Sequence, residues 1–479
     1  MSLRRLLIAR ACMGTFSRAG AFALTGALVA AALLSAVVAL MPAPAAAAPA
    51  LAEHVHFRAA DGTMLYGYVY GAAPLKARPV IFEASTYAPT YSANAPLIAG
   101  PAYNYLELQV RGTGRSSGVW NVFGAADQAD IHDFAQWSCG QPWSDGKLAL
   151  TGFSSPAISA YTAMRRHISC LRTAVLLSGT ASLYRDVAWI GGIPQVGIGS
   201  AFVGLVANPF ATNLPNRAQD DPGSIPTAVA GYPQAAASFF GNPQENRFWT
   251  ERDFLHPVDR PSVPILSVSG FYDIESQGAQ EAYWATRRLG SQLAMIGGHE
   301  GTPAARAYFS SLSQAWFDHY LRGIDNGIDR GPHVHVWEPI GGLPAYQANQ
   351  VIKFNTTAWP IAGTRYETAY LHGGRSGSAQ SINDGTLNGD PPSSPEPPDA
   401  YPFAPSNSAA TDPNLLPVAG IKPPLLSGDL RTAARDSLTY TTSPLTRPPR
   451  PRRSRRDGPL RVGHGARDRL PRGPRRRQP

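Results

Sequence analysis

Residues 147–167 read KLALTGFSSPAISAYTAMRRH. Lys147–Phe153 is a short, mostly apolar run, the pattern of a strand buried on both faces. Residues 157–167 have the composition and length of a helix. Gly152-Phe153-Ser154 joins the two. A serine two places after a glycine, between a strand and a helix, has the setting of a nucleophile elbow. There a sharp turn pushes the hydroxyl out beyond the C-terminal end of the strand. The last glycine of the usual G-x-S-x-G pattern is Pro156 here, with Ala157 one place later. The bland alternative is a polar connecting loop. Ser155 is a competing hydroxyl, but its offset from Gly152 is wrong.

Outward from this stretch the same alternation continues. RPVIFEAS (78–85), YNYLELQV (103–110) and LRTAVLLSG (171–179) read as strands, and AADQADIHDFAQWSC (125–139) has helical spacing. Further on, VPILSVSG (263–270) and QLAMIGG (292–298) read as strands, with helices near 277–289 and over 304–323. Strands alternating with helices imply a parallel sheet with crossover helices, so the fold class is α/β. Before the first of these strands, residues 53–71 alternate around Asp61-Gly62, a hairpin signal. Residues 181–255 break the rhythm with Gly, Pro, Ala and aromatics, as an inserted cap would. After Pro332 the pattern turns β-like, and 373–428 is rich in Pro, Gly, Ser, Asn and Asp.

A nucleophilic serine needs a base, and the base needs an orienting carboxylate. In an α/β-hydrolase these follow in the order serine, acid, histidine, each on a loop after a strand. Asp273 lies just beyond the strand at 263–270, and His299 lies two glycines beyond the strand at 292–296. Ser154, Asp273 and His299 are therefore the candidate triad. His54, His56, His333 and His335 fall in strand-like segments elsewhere, and His319 falls inside a helix. His333 and His335 share a strand face but lack further ligands, and there is no Cys–Cys–His cluster, so no metal is expected. VRGTGRSSGVW (110–120) is glycine-rich without matching a dinucleotide fingerprint, and no cofactor is expected.

The ends of the chain differ from its middle. Net charge is +9, with +11 in residues 447–479 and +4 in residues 1–48, which leaves the body at −6. The basic balance therefore argues for no nucleic-acid partner. Residues 1–48 read as an export signal: Arg4, Arg5, Arg10 and Arg18, then an apolar run from Ala21 to Leu40, then small residues near Ala46–Ala48. An uncleaved membrane anchor is the alternative, and Met13 is an alternative start. After cleavage no stable membrane partner is expected. Residues 447–479 contain thirteen Arg and seven Pro, which cannot form a core. GC-rich DNA read out of frame yields such runs; a basic arm for acidic surfaces is the alternative. Cys12 lies in the signal, leaving Cys139 and Cys170. An even pair in an oxidising compartment favours a disulfide over two free thiols. Each precedes one of two consecutive strands whose starts lie on the same edge of the sheet, within bridging range if they are neighbours.

Several blocks together resemble the X-Pro dipeptidyl-peptidase and cocaine-esterase (CocE/NonD) family of serine hydrolases. They are VRGTGRSSGVW, Asp130, QWSCGQPWSDGKLALTGFSS, GFYD, GGHEG and AWFDHYLRGIDNGI. The resemblance runs over about 53–446 and extends to glutaryl-cephalosporin acylases and α-amino-acid ester hydrolases. It implies an α/β-hydrolase domain in two parts (49–180 and 256–330), a helical cap (181–255) and a C-terminal jelly roll (331–446), short here and followed by the 447–479 tail. It supports the same triad, and implies an oxyanion hole from the Tyr87 hydroxyl and the Ser155 backbone N–H. The chain departs from the family at Ser155, Gln109 and Gly297-Gly298, where a tyrosine, an acid and Pro-Trp are usual.

The function expected is ester or amide hydrolysis through an acyl-enzyme, X-Pro dipeptide release first, with a carboxylesterase or acylase as alternative. A dipeptidase needs acids for the substrate amine, and the cap offers Asp186, Asp220, Asp221, Glu245, Glu251 and Asp253. The other class is a non-catalytic protein presenting a jelly roll to glycans or cell wall, which the intact triad disfavours. The partner expected is a peptide or small-molecule substrate; oligomeric state is not legible.

Overall fold

The apolar runs become the strands of one ten-stranded sheet. The structure, a computed structural model, describes residues 50–72, 74–87, 101–255, 262–299, 301–340, 343–378, 381, 383–399 and 438–444. The expected export signal and the Arg/Pro tail lie outside the described residues. Strands β1 (Ala50–Arg58) and β2 (Met64–Gly71) pair antiparallel, the hairpin expected around Asp61-Gly62. Then come β3 (Arg78–Ser85), β4 (Asn104–Gln109), β5 (Ser144–Phe153) and β6 (Leu171–Leu177). Helix α1 (Ala125–Cys139) precedes β5, and α2 (Ser155–Ala163) follows it. Strands β3 and β4 are almost wholly buried, and β5 and β6 are buried over Leu148–Gly152 and Thr173–Leu176, as parallel strands covered on both faces should be.

The insertion after β6 begins with a single π-helical turn (Tyr184–Ala188) and a two-stranded hairpin, β7 (Trp189–Ile190) and β8 (Ile193–Pro194). It continues as α3 (Val196–Thr212), α4 (Leu214–Asp220), α5 (Ile225–Phe240) and α6 (Arg247–Thr250). The sheet resumes with β9 (Ile265–Ser269), α7 (Ser276–Thr286), β10 (Gln292–Met295), α8 (Pro303–Arg322), β11 (Val334–Pro339), α9 (Leu343–Gln347) and β12 (Val351–Thr356). The strand order is β1-β2-β4-β3-β5-β6-β9-β10-β11-β12, parallel from β4 to β11. Among the described residues no helix is long and apolar enough to cross a membrane.

Successive residues of each strand feed opposite faces. Phe82 and Leu150 pack with Phe134 of α1 and Tyr161 of α2. Ile81 and Ala149 pack with Trp316 and Phe317 of α8.

One boundary needs correction. The sequence reading ends the hydrolase domain at residue 330 and starts the C-terminal β domain at 331. The structure instead pairs β11 parallel with β10, and β12 antiparallel with β11, so the main sheet runs on to Thr356. An alternating run such as HVHVWEP is compatible with either sheet, and only the partner strand decides. Beyond it, β13 (Tyr370–His372), β14 (Asn383–Asn388) and β15 (Leu438–Thr441) form a separate three-stranded sheet. Residues 401–437, between β14 and β15, lie outside the described residues.

Candidate active site

The chain crosses over at β3. Strand β4 lies on one side of β3 and β5 on the other, so the loops after β3 and β5 emerge side by side. Such a reversal opens a crevice at the C-terminal edge of a parallel sheet. Ser154 stands there, directly after β5. Its φ is 64° and its ψ −126°, a conformation that costs a non-glycine residue energy and is retained where the surroundings enforce it. They do so through the backbone: the Ser154 N–H donates to the Leu177 carbonyl at 2.9 Å, and the Ala157 N–H donates to the Ser154 carbonyl at 2.9 Å. Gly152 is required by this turn, since a Cβ there would come within 2.4 Å of the Ala157 nitrogen. Ser155, the competing hydroxyl, is buried and engaged with Thr86 Oγ1 at 2.6 Å.

That contact ties the loop after β3 to the elbow and brings Tyr87 with it. The Tyr87 hydroxyl lies near the polar groups of Ser154 and Ser155, which favour its ionised form, but burial outweighs them and pushes its pKa up to about 12. The phenol therefore stays protonated, as a donor to a forming oxyanion must.

The other two expected residues also meet. The His299 Nδ1–H donates to Asp273 Oδ1 at 2.9 Å. The His299 ring packs on Phe153, the neighbour of Ser154, with centroids 4.8 Å apart. Asp273 Oδ2 accepts from Ser178 Oγ at 2.5 Å and Ser269 Oγ at 3.0 Å. Burial alone would raise the Asp273 carboxyl, but His299 and the hydrogen bonds outweigh it and hold Asp273 well below the usual range. The loop leading to His299 crosses directly over this carboxylate: a Cβ at Gly298 would lie 1.6 Å from Asp273 Oδ2. This accounts for glycine where the resembling family carries a larger residue.

Sequence reasoning missed Ser178, Ser269 and Glu275. Ser178 follows the last residue of β6 and Ser269 is the last of β9, and a serine at the C-terminal end of a buried strand is the faint signal they left. Glu275 Oε2 lies 3.4 Å from His299 Nδ1. One ligand atom each from Asp273, Glu275 and His299 falls within 4.8 Å of the others. Asp273 already spends both oxygens on hydrogen-bond donors, so a triad with a second carboxyl accounts for the same atoms.

Glycine-rich 110–120 has a structural role. Arg111 grips Asp130 of α1 through two hydrogen bonds at 2.6 and 2.7 Å, and reaches Asp61 in the β1–β2 turn at 2.8 Å. The wholly buried Arg217, from α4 of the cap, points its guanidinium at the carbonyls of Thr113, Gly114 and Ser116. The cap is thereby pinned to the loop. Cys139 at the end of α1 and Cys170 just before β6 are joined by a disulfide, with Cα atoms 6.5 Å apart. His335 lies in β11, bonded to the Tyr308 hydroxyl, and burial lowers its pKa to about 4.

Of the cap acids, Asp220 pairs with Arg115 and Glu251 with Arg247, whereas Asp186 is buried against Thr180. Burial raises the Asp186 pKa to about 7.

Comparison with known proteins agrees with this architecture. The family model described as X-Pro dipeptidyl-peptidase (S15 family) matches residues 61–300. A provisionally named Xaa-Pro dipeptidyl-peptidase of Streptomyces avermitilis is 23% identical over 415 residues, covering 77% of this chain and 57% of that protein. One from Rhodopirellula baltica is 33% identical over 91 residues, 18% of this chain and 14% of that protein. The chain thus spans little more than half the length of the first relative. A CocE/NonD family hydrolase from Staphylococcus aureus superposes with a TM-score of 0.52 at 19% identity, over 70% of this chain and 59% of that one. An aminopeptidase from a marine-sediment Thaumarchaeota archaeon gives 0.51 at 14% identity, over 76% and 66%. At these identities the likeness is one of fold.

Proposed function

The chain belongs to the X-Pro dipeptidyl-peptidase (S15) family, and from that membership we propose that it is an exported serine hydrolase working through an acyl-enzyme, with X-Pro dipeptide release as its activity. The observation that carries this reading is the Asp273–His299 pair packed beside a serine held at positive φ. Ser154 Oγ attacks the substrate carbonyl carbon as His299 Nε2 takes its proton. Tyr87 and the Ser155 N–H donate to the carbonyl oxygen as its charge grows. His299 then returns the proton to the leaving group, and water repeats the sequence to free the acyl group. Asp273 keeps Nδ1 protonated, so Nε2 is the free base. Export rests on the character of residues 1–48, and the disulfide suits an oxidising compartment.

A second reading, ester or acylamide hydrolysis, is favoured by the state of three of the six cap acids. Asp220 and Glu251 are engaged by arginines, and Asp186 is buried. A substrate without a free amine makes no demand on them.

A panel of Xaa-Pro anilides and nitrophenyl esters, with Ser154→Ala as control, tests both. Faster turnover of Xaa-Pro anilides carrying a free amine than of blocked ones supports dipeptide release; turnover of esters alone supports the second reading. Turnover that survives in Ser154→Ala overturns the hydrolase mechanism altogether.

A further inference from the structure

His299 faces two carboxyl groups through one nitrogen. Asp273 Oδ1 is 2.9 Å from Nδ1 and Glu275 Oε2 is 3.4 Å from it. The Glu275 side chain is 4% exposed, and Oε2 is buried with no hydrogen-bond partner among the described residues. Glu275 stands immediately before α7, two residues after Asp273, so the turn from β9 into the helix fixes both acids on one side of the imidazole. A simple triad needs one carboxylate there, and Asp273, with its serine hydroxyls, already meets the need. The mechanism leaves Glu275 unused.

We propose that Glu275 is a reserve positioning residue for His299: a second acid aimed at the same Nδ1, able to accept its hydrogen bond when the charge on Asp273 is lost. The inference rests on the hydrolase reading of the site.

The chemistry follows from two acids sharing a buried space. Burial first, and then the Asp273 charge, raise the Glu275 carboxyl well above its ordinary range, so the pair carries one negative charge. Asp186, also buried, pushes in the same direction, and Glu275 in turn acts on Tyr87. In Asp273→Asn the strongest neighbouring charge disappears. Glu275 then gives its proton to solvent, and its carboxylate accepts the Nδ1–H. Nε2 remains the base, and Ser154 can still pass its proton there. In a triad with no second acid the same substitution stabilises the wrong imidazole tautomer and lowers turnover by about 10⁴-fold.

The test is a cycle of the parent, D273N, E275Q and D273N/E275Q. Turnover and the downfield proton NMR signal of His299 Nδ1–H are measured on each full-length, folded protein. D273N should lose about 10²-fold or less and keep the signal. The double variant should fall to about 10⁴-fold below the parent and lose the signal. E275Q should thus cost far more in the D273N background than in the parent. If the double variant does not fold, D273N with Glu275→Asp replaces it, since the shorter acid falls short of Nδ1. A D273N protein that loses about 10⁴-fold, with E275Q adding nothing, overturns the reserve role. If Ser154→Ala still abolishes turnover in that case, the hydrolase reading stands. Should the parent turn over no substrate of the panel, the NMR signal decides alone: present in D273N and absent in the double variant supports the inference, absent in D273N overturns it.

Discussion

The two ends of the proposed triad are held by different means. Ser154 is held by backbone: a positive φ, two main-chain hydrogen bonds of 2.9 Å, and a glycine two residues earlier with no room for a side chain. Asp273 is held by the side chains of Ser178, just after β6, and Ser269, at the end of β9, and Asp273 in turn holds His299. The elbow's sequence signal is local, written in a few consecutive residues, although one of its hydrogen bonds reaches Leu177 of β6. The acid end is assembled from long-range contacts and depends on charge. Damage to the first should be close to all-or-none; damage to the second should be graded and sensitive to pH.

The sharpest break is at the elbow. Ser154→Ala should lower turnover by about 10⁴-fold or more while circular dichroism and melting stay at parental values. A loss within about tenfold would place the nucleophile elsewhere. Tyr87→Phe removes one oxyanion donor and should cost roughly 10²–10³ in kcat with little change in KM. An unchanged kcat would move the donor role off Tyr87.

The acid end should yield less to a single change. Ser178→Ala takes one of two hydroxyl donors from Asp273 Oδ2, and we expect a loss of about tenfold in kcat, from one charge-assisted hydrogen bond of about 1.5 kcal/mol. A loss as large as that of Ser154→Ala would erase the contrast between the two ends.

Two further changes should leave the rate alone and act on stability. The Cys139–Cys170 bridge closes 31 residues at the far end of β5 and β6 from the elbow. Its replacement by two serines should cost about 3–4 kcal/mol of unfolding free energy, on the chain-entropy estimate for a loop of that size, with kcat unchanged. A changed kcat would show that the elbow is not locally determined. At the acid end, burial holds Asp186 protonated to about pH 7, above its unfolded value of about 3.9. Folding therefore takes up a proton, and stability falls as pH rises between those limits, by up to ~1.4 kcal/mol per unit for this group, then levels off. Asp186→Asn should flatten that slope in urea unfolding from pH 4.5 to 8. An unaltered slope would show that Asp186 is ionised in the folded protein.

The same contrast explains what could be read in advance. The strand–serine–helix sequence around Ser154 carries its own geometry, so the elbow and the sheet were legible from spacing. That Asp273 and His299 meet, 2.9 Å apart, was foreshadowed by the order of the chain, which puts each after a strand. Ser178 was not: it lies 95 residues from Asp273, and nothing near it names that partner. Glu275 escaped because a carboxyl two places from another looks like an ordinary helix start. The boundary near 330 failed for a related reason. The run from Val334 suits any half-buried strand, and its assignment comes from β10, some forty residues earlier. The glycine-rich loop gave no hint of its partner in the structure, Arg217, which lies a hundred residues away.

That arginine sets the terms on which the cap can be exchanged. Insertions of this kind are commonly treated as modules that vary freely over a constant sheet. Here the guanidinium of Arg217 donates to the carbonyls of Thr113, Gly114 and Ser116 and to the hydroxyl of Ser224, and among the described residues it forms no salt bridge. Carbonyls point by virtue of backbone path, so the path of the loop and the presence of the arginine must be inherited together. A graft of this cap onto another hydrolase sheet that left out the loop would strand a buried cation. The unit of exchange in this molecule is the cap with its cradle.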